Sequence, residues 1–597
     1  MSLRRKLLAF LHNRKKTAEY TELAYLESTG TQWIDTGVAF QAIKAVIEVC
    51  FNSEKATRQA MGFSSYNTTY FAKSSGGTFE VGGGILLDST VNPYEWQEVE
   101  FTHNGSISSG RCELTVDGKS VIRQNTIAGQ PSNFWLFNIP NYGETLACHC
   151  KISSAKFYNA NDELIADLIP VLDKDLVPCM YDKVSGTYLP NAGTGEFNWK
   201  LPNQLEYLES DGNQYLLTDY VPNSNTAIEV DYFPNPSSVF NCIYGTQSSG
   251  NTNRFYALIS SLNYRLQISS MNTSYYYGLD GVGGLIYQGQ GFTSSQIRVV
   301  LTVDNHNKLI RTVTDDGTVD YDMTSVSGLG QVDCEYPLVI FNRGTAGVVN
   351  QTNGYKGRMY SYKIWESDKL VHYYIPVFDE NLTPCMYDLV SKEYLRNQGT
   401  GAFKGYFADG SRLVSYLESD GNQYLNLGII PNDKIGVKAK FYVNSASGKN
   451  YVVGSRGNGV GRFYLYSTES SAYVKYGYGA FYTTNITPVV GTPVEASLNY
   501  LNDRKYIYNG TEVNSNLPQT DFSGNTYDMY LFSSNFANVF YNDAILNGRI
   551  YYHQITQGDK LVMDLIPVLD KDLVPCMYDL VSEQYLRNQG SGSFTYE

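Results

Sequence analysis

The phrase Tyr25-Leu26-Glu27-Ser28-Thr29-Gly30-Thr31-Gln32-Trp33 decides the fold, because the chain carries it three times. At residues 207–215 and again at 416–424 it reads Tyr-Leu-Glu-Ser-Asp-Gly-Asn-Gln-Tyr. A closing phrase, Pro-Cys-Met-Tyr-Asp, recurs at Pro178–Asp182, Pro384–Asp388 and Pro575–Asp579. Each copy then runs through a Tyr-Leu pair to Gly-x-Gly-x-Phe, which ends at Phe197, Phe403 and Phe594.

These paired phrases predict three tandem domains. Each repeat is far longer than the ~20–50 residues of a solenoid unit and is large enough to bury its own core. The predicted domains are residues 21–200, 201–410 and 411–597, preceded by an N-terminal segment at 1–20. The joins at 198–204 and 404–412 are short, so we expect limited reorientation between neighbours.

The composition and the local pattern predict an all-β protein. The chain has 51 Tyr, 27 Phe and 53 Gly, which are strand and turn formers. Short alternating runs such as Ile228-Glu229-Val230-Asp231-Tyr232-Phe233 are typical of strands with one wet face. Asp211-Gly212 and Asp420-Gly421 lie between apolar runs and predict that the opening phrase is a hairpin. Many short strands without helical periodicity favour jelly-roll β-sandwiches.

Charge excludes several functional classes. The chain carries 59 acidic and 45 basic residues, a net charge of -14, which disfavours binding of nucleic acid or anionic lipid by the whole surface. No stretch reaches the ~18–20 apolar residues of a membrane span. The six His do not occupy matching places in the repeats, so a repeated acid/base centre or His metal site is not expected.

The first 16 residues contain six Lys or Arg and no acidic residue. The segment predicts a short basic amphipathic helix that serves as an anchor; its residues are Leu3, Arg4, Arg5, Lys6, Leu7, Phe10, Leu11, Arg14, Lys15 and Lys16. The apolar run is short and no small-residue cleavage site follows it, so Sec export is not expected. The segment is also compatible with a solvated chain start, a docking element for a protein partner, or a contact with membrane or nucleic acid.

Two resemblances arise from these motifs. Tyr506-Ile507-Tyr508-Asn509-Gly510, Trp96-Gln97-Glu98-Val99 and Gly548-Arg549-Ile550 resemble stretches of laminin-G or concanavalin-A-type lectin modules. Across whole units, the opening phrase and the Pro-Cys-Met-Tyr-Asp phrase resemble lectin-like repeats in structural proteins of tailed bacteriophages of gut bacteria. This resemblance covers residues 21–597 and implies carbohydrate or surface binding. Because one fold hosts many functions, that implication is an analogy.

Cofactor motifs are weak. The third unit contains only Cys576, so the Cys of the closing phrase needs no disulfide partner and is expected to be a small buried hydrophobe. Cys148-His149-Cys150 lacks a second Cys pair, which disfavours a metal site. Calcium is possible at Asp304-Asn305-His306-Asn307 or Asn502-Asp503, but both sites also suit a plain hairpin turn. No cofactor is therefore expected.

Hydrolase chemistry is disfavoured as well. The repeated acids Glu27, Glu209 and Glu418, and Asp182, Asp388 and Asp579, are expected to serve turns and strand ends. Lectin-fold glycanases carry Glu-x-Asp-x-x-Glu, whereas Glu229-Val230-Asp231-Tyr232-Phe233-Pro234 lacks the second Glu. The protein is therefore expected not to be an enzyme.

Tyrosines in the regions where the copies differ most are the candidate ligand-binding residues. Aromatic faces stack on sugars, and diverging loops on a shared scaffold often carry recognition. The candidates are Tyr275, Tyr276, Tyr277, Tyr473, Tyr476 and Tyr478. The alternative is that these rings merely coat the wet face of a sheet.

The functional hypothesis is a non-enzymatic virion surface protein of a tailed phage, in a head fibre, a tail fibre or a capsid decoration. Its N-terminus would attach to a capsid or tail protein, and its lectin-like domains would bind a host surface glycan. A homotrimer is compatible with this role; a nucleic-acid partner and a membrane span are not expected. One alternative is a bacterial surface adhesin, which predicts an export signal or sorting tail. The other is a polysaccharide depolymerase, which predicts an acidic pair facing one cleft.

Overall fold

The structure is a computed structural model that describes residues 20–597 with interruptions. The interruptions are 40–42, 53–58, 64–69, 74–76, 82–84, 92–93, 105–109, 117, 127–131, 141–146, 235–240, 250–252, 261–264, 272, 278–284, 288–297, 316, 323, 325–332, 350–353, 446–449, 458–460, 469–472, 521, 523 and 538–544. The predicted anchor helix within residues 1–20 lies outside the described residues, apart from Tyr20.

The first repeat is built from β-strands in its described part. They are β1 (Thr21–Glu22), β2 (Tyr25–Thr29), β3 (Ile34–Ala39), β4 (Ile43–Phe51), β5 (Gln59–Gly62), β6 (Tyr70–Lys73), β7 (Thr78–Val81), β8 (Ile85–Thr90), β9 (Trp96–Asn104), β10 (Gly110–Val116), β11 (Lys119–Thr126), β12 (Asn133–Leu136), β13 (His149–Asn159), β14 (Leu164–Leu172), β15 (Pro178–Asp182), β16 (Thr187–Leu189) and β17 (Asn198–Lys200).

The second repeat follows the same order. Its described strands are β18 (Tyr207–Asp211), β19 (Leu216–Leu217), β20 (Thr226–Pro234), β21 (Asn241–Gln247), β22 (Arg254–Ser260), β23 (Arg265–Met271), β24 (Thr273–Tyr277), β25 (Leu285–Tyr287), β26 (Val299–Asp304), β27 (Leu309–Thr314), β28 (Gly317–Asp322), β29 (Val339–Ile340), β30 (Gly344–Thr345), β31 (Val348–Val349), β32 (Lys356–Glu366), β33 (Lys369–Phe378), β34 (Pro384–Asp388), β35 (Tyr394–Leu395) and β36 (Lys404–Tyr406).

The third repeat adds a short 3-10 turn, Tyr500–Asn502, to its strands. The described strands are β37 (Arg412–Leu413), β38 (Leu417–Asp420), β39 (Leu425–Asn426), β40 (Ile435–Val443), β41 (Val453–Arg456), β42 (Arg462–Ser467), β43 (Lys475–Thr483), β44 (Val494–Leu498), β45 (Tyr506–Tyr508), β46 (Thr511–Asn514), β47 (Tyr530–Leu531), β48 (Asn535–Phe536), β49 (Asn547–Gln557), β50 (Lys560–Leu569), β51 (Pro575–Asp579), β52 (Gln584–Leu586) and β53 (Thr595–Tyr596).

All three repeats share one sheet topology, and no α-helix occurs among the described residues. In the first repeat the larger sheet runs β11-β10-β9-β4-β13-β14-β15-β16 and the smaller sheet runs β3-β12-β5-β6-β7-β8. The second repeat pairs β27, β26, β20, β32 and β33 in the same way, and the third pairs β45, β44, β40, β49 and β50. The predicted all-β class and tandem sandwiches are confirmed.

The core of each sandwich lies between its two sheets, where aromatic rings from both layers meet. Phe134 of β12 packs on Phe157 of β13 in the first sandwich, with ring centroids 5.1 Å apart. Tyr244 of β21 meets Tyr362 of β32 at 5.6 Å in the second. The inward positions alternate with wetter ones, as in β9, because successive side chains of a strand point to opposite faces.

The opening phrase is not a hairpin, which corrects the sequence-based prediction. Its glycine does adopt the expected left-handed backbone, with φ of +101° at Gly30, Gly212 and Gly421. However, β18 before the turn pairs with β32 in the larger sheet, whereas β19 after the turn pairs with β29 in the smaller sheet. The phrase is therefore a crossover between layers. The hydrogen-bonding groups of the turn are satisfied by a side chain rather than by a ladder of backbone hydrogen bonds between two strands.

That side chain is the glutamine of the phrase. Gln214 is buried; its Oε1 accepts hydrogen bonds from the Ser210 hydroxyl at 2.9 Å and the Asp211 N–H at 3.0 Å, and its amide donates to the carbonyl oxygen of Thr400 at 3.2 Å. Gln423 makes the corresponding bonds to Ser419 and Ser591, and Gln32 bonds Ser28 and donates to the Glu196 carbonyl oxygen, two residues beyond the equivalent of Thr400. The glutamine thus joins the opening phrase to the closing Gly-x-Gly-x-Phe segment.

A second repeated contact completes this closure. The buried Phe137, Phe341 and Phe532 directly follow β12, β29 and β47 and have φ of 67°, 65° and 65°, a rare conformation for a bulky residue. Each packs on the phenylalanine that ends the Gly-x-Gly-x-Phe segment, Phe197, Phe403 or Phe594, with centroids 5.0, 4.7 and 4.7 Å apart. In each repeat the opening phrase and the Gly-x-Gly-x-Phe segment are therefore held together by the glutamine and by this pair of phenylalanine rings. We call these two segments, with their contacts, the structural clasp. This shared structural role explains why both segments are so similar in the three copies.

The chain divides into two compact units. One comprises residues 1–202, 416–567 and 576–596, and the other comprises 203–415, 568–575 and 597. The boundaries predicted at residues 20, 200 and 410 remain predictions. None of the described segments forms a helix that is long and apolar enough to cross a membrane.

Candidate functional site

Two tryptophans form a surface pair on the outer face of the smaller sheet in the first sandwich. Trp33 precedes β3, and Trp135 lies in β12 opposite Asp35. The rings are therefore diagonal neighbours on adjacent strands; their centroids are 5.5 Å apart and their planes differ by 13°. Both rings are half-buried. The sheet thus presents a broad, partly exposed aromatic patch.

A carboxylate and an amide lie beside these rings. The Asn133 side-chain amide donates a hydrogen bond of 2.9 Å to Asp35 Oδ1, which also accepts the Gly37 N–H at 2.9 Å. Both side chains are half-buried. We call Trp33, Trp135, Asp35 and Asn133 the first ring-pair surface.

The structural clasp holds Trp33 in place. The Trp33 N–H donates to Asn191 Oδ1 at 3.2 Å, and the Trp33 carbonyl oxygen accepts the Ala192 N–H at 2.8 Å. Gly193 lies so close that a Cβ there would be 2.6 Å from the indole ring. The backbone bonds of Trp33 and the close approach of Gly193 to its indole therefore fix the position of the ring without a ligand.

The third sandwich carries a matching arrangement, the second ring-pair surface, formed by Tyr424, Tyr530, Asn426 and Asp528. The two tyrosine centroids are 4.8 Å apart with an interplanar angle of 31°. Tyr530 lies opposite Asn426, as Trp135 lies opposite Asp35. The Asn426 amide donates to Asp528 Oδ2 at 3.3 Å. Compared with the first sandwich, the positions of the acid and the amide are interchanged, and the hydrogen bond between them is retained.

The second sandwich keeps the clasp but not the surface. The Tyr215 N–H donates to Asn397 Oδ1 at 3.1 Å, as Trp33 does to Asn191. The strand facing it has Val339 where the others have Trp135 and Tyr530, and Leu217 lies where they have Asp35 and Asn426. Among the described residues Tyr215 has no ring partner. The sandwich fold therefore does not require the ring pair.

The ring-pair surfaces combine stacking area with hydrogen-bonding groups. An aromatic face offers a flat apolar platform, and a neighbouring carboxylate and amide can accept from and donate to hydroxyl groups. Burial raises the pKa of the Tyr530 phenol, and the neighbouring Tyr424 and Asp528 raise it further. Tyr530 therefore stays neutral at physiological pH. Such a surface suits a polyhydroxylated ring such as a sugar.

The tyrosines expected from sequence fare differently. Tyr473 is exposed at 44% of its surface, as predicted, although its role in ligand binding stays a prediction. Tyr476 and Tyr478 retain only 3% and 2%, so the expectation that they are exposed is wrong. Tyr275, Tyr276 and Tyr277 lie on β24, and their side chains fall outside the described part.

Packing explains the burial of Tyr476 and Tyr478. The Tyr476 ring stacks on Tyr506 at 4.1 Å, and its hydroxyl accepts a hydrogen bond from the Asn514 amide at 3.0 Å. The Tyr478 hydroxyl donates to the carbonyl oxygen of Asp433 at 2.9 Å. The alternation Tyr-Gly-Tyr placed both rings on the inward face of β43, a choice of face that the sequence pattern left open.

The repeated closing aspartates are turn-forming residues. Asp182 Oδ1 accepts the Asp167 and Val184 N–H groups at 2.9 and 3.0 Å, while Oδ2 accepts the Ser185 hydroxyl at 2.6 Å. Asp579 repeats this pattern with Asp564, Val581 and Ser582. These carboxylates stabilise the loop after the closing strand, as the sequence led us to expect.

The repeated opening glutamates face basic residues across the larger sheet. Glu209 is paired with Arg358 at 3.1 Å and Glu418 with Arg549 at 3.1 Å, and Glu27 lies opposite Lys151. The same cations contact the opening tyrosine; Lys151 Nζ is 4.7 Å from the Tyr25 ring centroid. Burial raises the pKa of Glu27 above its ordinary value, and Lys151 opposes this rise. The opening glutamates thus make cross-strand contacts with basic residues of the larger sheet.

The acids of the near-glycanase stretch are paired as well. Glu229 meets Lys363 at 2.8 Å, and Asp231 accepts from Arg298 at 2.9 and 2.7 Å. Asp304, in the possible calcium loop, accepts the Asn307 N–H at 2.8 Å and so closes its turn. No group of three or more potential metal-binding side chains occurs in the described part of the chain. All nine cysteines are buried and none forms a disulfide; burial was predicted for Cys576 and its counterparts.

Sequence reasoning missed the ring-pair surfaces. Trp33 and Tyr424 are the aromatic ends of the opening phrase, for which the sequence predicts a hairpin. A second signal was the repeated stretch Trp135-Leu136-Phe137-Asn138, matched by Tyr530-Leu531-Phe532-Ser533 and by Val339-Ile340-Phe341-Asn342. The first residue of this stretch is aromatic in the first and third sandwiches and is Val339 in the second, which therefore lacks the second ring. Only strand pairing brings the two signals together.

Comparisons with known proteins give no family. No family model matches the chain, and no curated protein matches it. Among solved structures it is similar to domains LG4-5 of the mouse laminin alpha1 chain, at 10% identity and a TM-score of 0.21 over 58% of this chain and 91% of that one. It is also similar to the LG1-3 region of the laminin alpha2 chain (10%, 0.23, 94% and 100%) and to NanB sialidase from Streptococcus pneumoniae (9%, 0.19, 66% and 76%).

Proposed function

We propose that this chain is a non-enzymatic adhesion protein that binds glycans through its ring-pair surfaces. The observation that carries the proposal is the near-parallel Trp33–Trp135 pair beside the Asp35–Asn133 hydrogen bond. Stacking of a pyranose on such rings buries apolar C–H faces, while the acid and amide bond its hydroxyls.

The absence of turnover is part of the proposal. Most glycoside hydrolases use two carboxyl groups that flank the scissile bond and are separated by ~5–9.5 Å. Each ring-pair surface contributes one carboxylate, Asp35 or Asp528, and the repeated acids elsewhere serve turns or face basic residues. This arrangement favours binding without cleavage.

A glycan array probed with the full chain tests the proposal. The double variant Trp135→Val/Tyr530→Val introduces at both surfaces the residue that the second sandwich already carries, so the fold is expected to persist. We expect this variant to lose binding and the matched control Tyr215→Val to keep it. A bound glycan incubated with the protein is expected to yield no new reducing ends. Unchanged binding by the double variant, or release of reducing ends, would contradict the proposal.

We further propose that the protein is displayed on the virion surface of a tailed phage and attached through its basic N-terminus. This rests on the sequence resemblance of residues 21–597 and on the cationic first 16 residues. Immunogold labelling with an antibody against the third sandwich is expected to mark phage capsids or tails, and deletion of residues 1–20 is expected to remove the label. Label on cell envelopes instead would favour a bacterial surface adhesin.

A further inference from the structure

We propose that the two ring-pair surfaces select uncharged sugars and act together as two binding sites for one polysaccharide. This inference rests on the glycan-binding function proposed above and specifies its ligand class and valency. Three observations carry it: the charge of the surfaces, their duplication in the first and third sandwiches, and the form of the second sandwich.

The polar groups of both surfaces are acidic or neutral. In the described part of the chain Asp35 bonds only to Gly37 and Asn133, and Asp528 faces Asn426 and the Tyr530 ring. The repeated glutamates differ, since Glu209 and Glu418 each pair with an arginine at 3.1 Å. In the part of the chain that the structure describes, the carboxylates of the ring-pair surfaces are therefore hydrogen-bonded to backbone or amide groups rather than paired with a cation.

This charge sets the ligand class. A carboxylate accepts hydrogen bonds from sugar hydroxyls, whereas a uronate or sialate would bring a like charge to within a few ångströms at a partly desolvated site. Such a repulsive element gives specificity by rejecting the wrong ligand. The surfaces are thus suited to neutral hexoses and disfavour acidic sugars.

The duplication preserves chemistry rather than sequence. In the first sandwich the acid follows Trp33 and the amide precedes Trp135; in the third the amide follows Tyr424 and the acid precedes Tyr530. The hydrogen bond between acid and amide is nevertheless present in both. One carboxylate, one amide and two rings are therefore the shared requirement, so both surfaces are expected to take the same ligand class.

The second sandwich acts as an internal comparison. It has the same clasp and topology, yet carries Val339 and Leu217 at the corresponding positions. Because it folds with one ring, Tyr215, and without the second ring or the acid–amide bond, the sandwich fold does not require the complete ring-pair surface. Two sites on one chain raise the apparent affinity for a repeating polymer by roughly 10²–10⁴ when both can bind at once.

The test measures binding of the full chain to immobilised polysaccharides at 0.15 M salt. The neutral probes are β-glucan, α-mannan and galactan, and the acidic probes are alginate and polygalacturonate. We expect binding to at least one neutral polymer and none to the acidic ones. Trp135→Val and Tyr530→Val are each expected to weaken binding by at least 100-fold, with Tyr215→Val as the unchanged control.

The charge argument has its own variant. Asp35→Asn/Asp528→Asn keeps side chains of similar size that can still accept a hydrogen bond, but removes both negative charges. This variant is expected to gain binding to alginate or polygalacturonate while still binding the neutral polymer. Circular dichroism checks that each variant retains the wild-type strand content.

The outcomes separate this inference from the function on which it rests. Preferential binding of the wild type to an acidic polymer, lost in the double ring variant, would preserve glycan binding but overturn selectivity for neutral sugars. If only one of the two single variants, Trp135→Val or Tyr530→Val, lost affinity while the other bound as the wild type does, bivalency would be overturned. Binding to no polymer, or binding that the double ring variant retains, would overturn the glycan-binding function itself.

Discussion

At the scale of single residues, the local environment sets the pKa of the repeated closing aspartates. The closing aspartates occupy equivalent turns, yet their acidities differ. Burial raises the pKa of Asp182 and Asp388, but hydrogen bonds outweigh it, so both pKa values lie below the ordinary one. At Asp579 burial prevails and the pKa is raised. Hydrogen bonding and burial therefore compete at a single repeated position.

Asp388 provides a test of that balance. Its carboxylate accepts the Tyr373 N–H at 2.9 Å and contacts His372 Nδ1 at 2.8 Å. Asp388→Asn is expected to lower the free energy of unfolding by about 1–3 kcal/mol at pH 7. Because the folded-state pKa is lowered, the stabilisation is present above the unfolded pKa and is lost as pH falls through the folded one.

Hydrogen exchange of peptides covering Lys369–Phe378 at pH 7 and pH 3 would measure this loss. The exposed Asp315→Asn is the control and is expected to have no effect. A difference between Asp388→Asn and wild type that stays constant down to pH 3 would contradict the expectation.

His553 is expected to lower stability on acidification, as Asp388 does, but through a buried imidazole. It is fully buried in β49, and burial lowers its pKa to about 3. The unfolded chain therefore takes up a proton below its pKa of about 6.5 while the folded chain does not. Stability is expected to fall by about 2 kcal/mol between pH 7 and 5.

The variants His553→Gln and His553→Leu are expected to remove this component of the pH dependence. The third sandwich contains no tryptophan, so hydrogen exchange of peptides from Asn547–Gln557 is the appropriate measurement. His306→Gln, at a partly exposed imidazole, serves as the control. An unchanged pH dependence in both His553 variants would show that the imidazole is charged in the folded state.

At the scale of elements, the opening phrase and the closing loop stabilise each other. Gln423 accepts from the Asp420 N–H at 3.1 Å and donates to the Ser591 carbonyl oxygen at 3.2 Å, linking segments distant in sequence. Burial of these groups makes the amide costly to remove, because its partners would be left unsatisfied. The crossover between sheets therefore depends on one side chain.

Gln423→Ala is accordingly expected to destabilise the third sandwich by about 2–3 kcal/mol. Hydrogen exchange of peptides from β38 and of the segment around Ser591 would report the opening of both ends together. The exposed Gln584→Ala is a matched control. If the two ends exchanged independently, the glutamine would not be the link between them.

At the scale of the whole molecule, the three sandwiches repeat one closure. In the third, β37 pairs with β50, and β53 pairs with β38, so the first and last strands of this repeat both pair with other strands of the same repeat. Contacts of this sandwich with the first include the ion pairs Lys560–Glu98 at 2.9 Å and Lys151–Glu583 at 3.8 Å. Partly exposed pairs of this kind contribute about 0–1 kcal/mol each.

Residues 411–597 alone are therefore expected to fold and to unfold cooperatively in urea, as followed by circular dichroism. The shorter fragment 411–590 lacks β53 and Phe594, whose ring packs 4.7 Å from that of Phe532. Loss of this buried ring is expected to cost about 3–5 kcal/mol, so the short fragment should unfold at lower urea. An unfolded longer fragment would contradict the predicted boundary at residue 411.

The sequence alone determined the all-β class and the tandem repeats, because alternation and recurring phrases are local properties of the chain. It also indicated the buried cysteines and the structural role of the closing aspartates, since a recurring Asp before a turn has a local explanation. Sheet partners depend instead on residues that are far apart. For that reason the opening phrase was misassigned as a hairpin.

Only the tertiary structure decided which aromatic rings face solvent. The alternation of Tyr476 and Tyr478 along their strand is equally compatible with the solvent face and with the core face. Packing against Tyr506 and a hydrogen bond to the backbone of Asp433 place both rings in the core. Trp33 and Trp135 are separated by most of a domain, and pairing of β3 with β12 brought them together. Side-chain alternation is a property of one strand, whereas a binding surface needs the register between strands, which the whole sandwich sets.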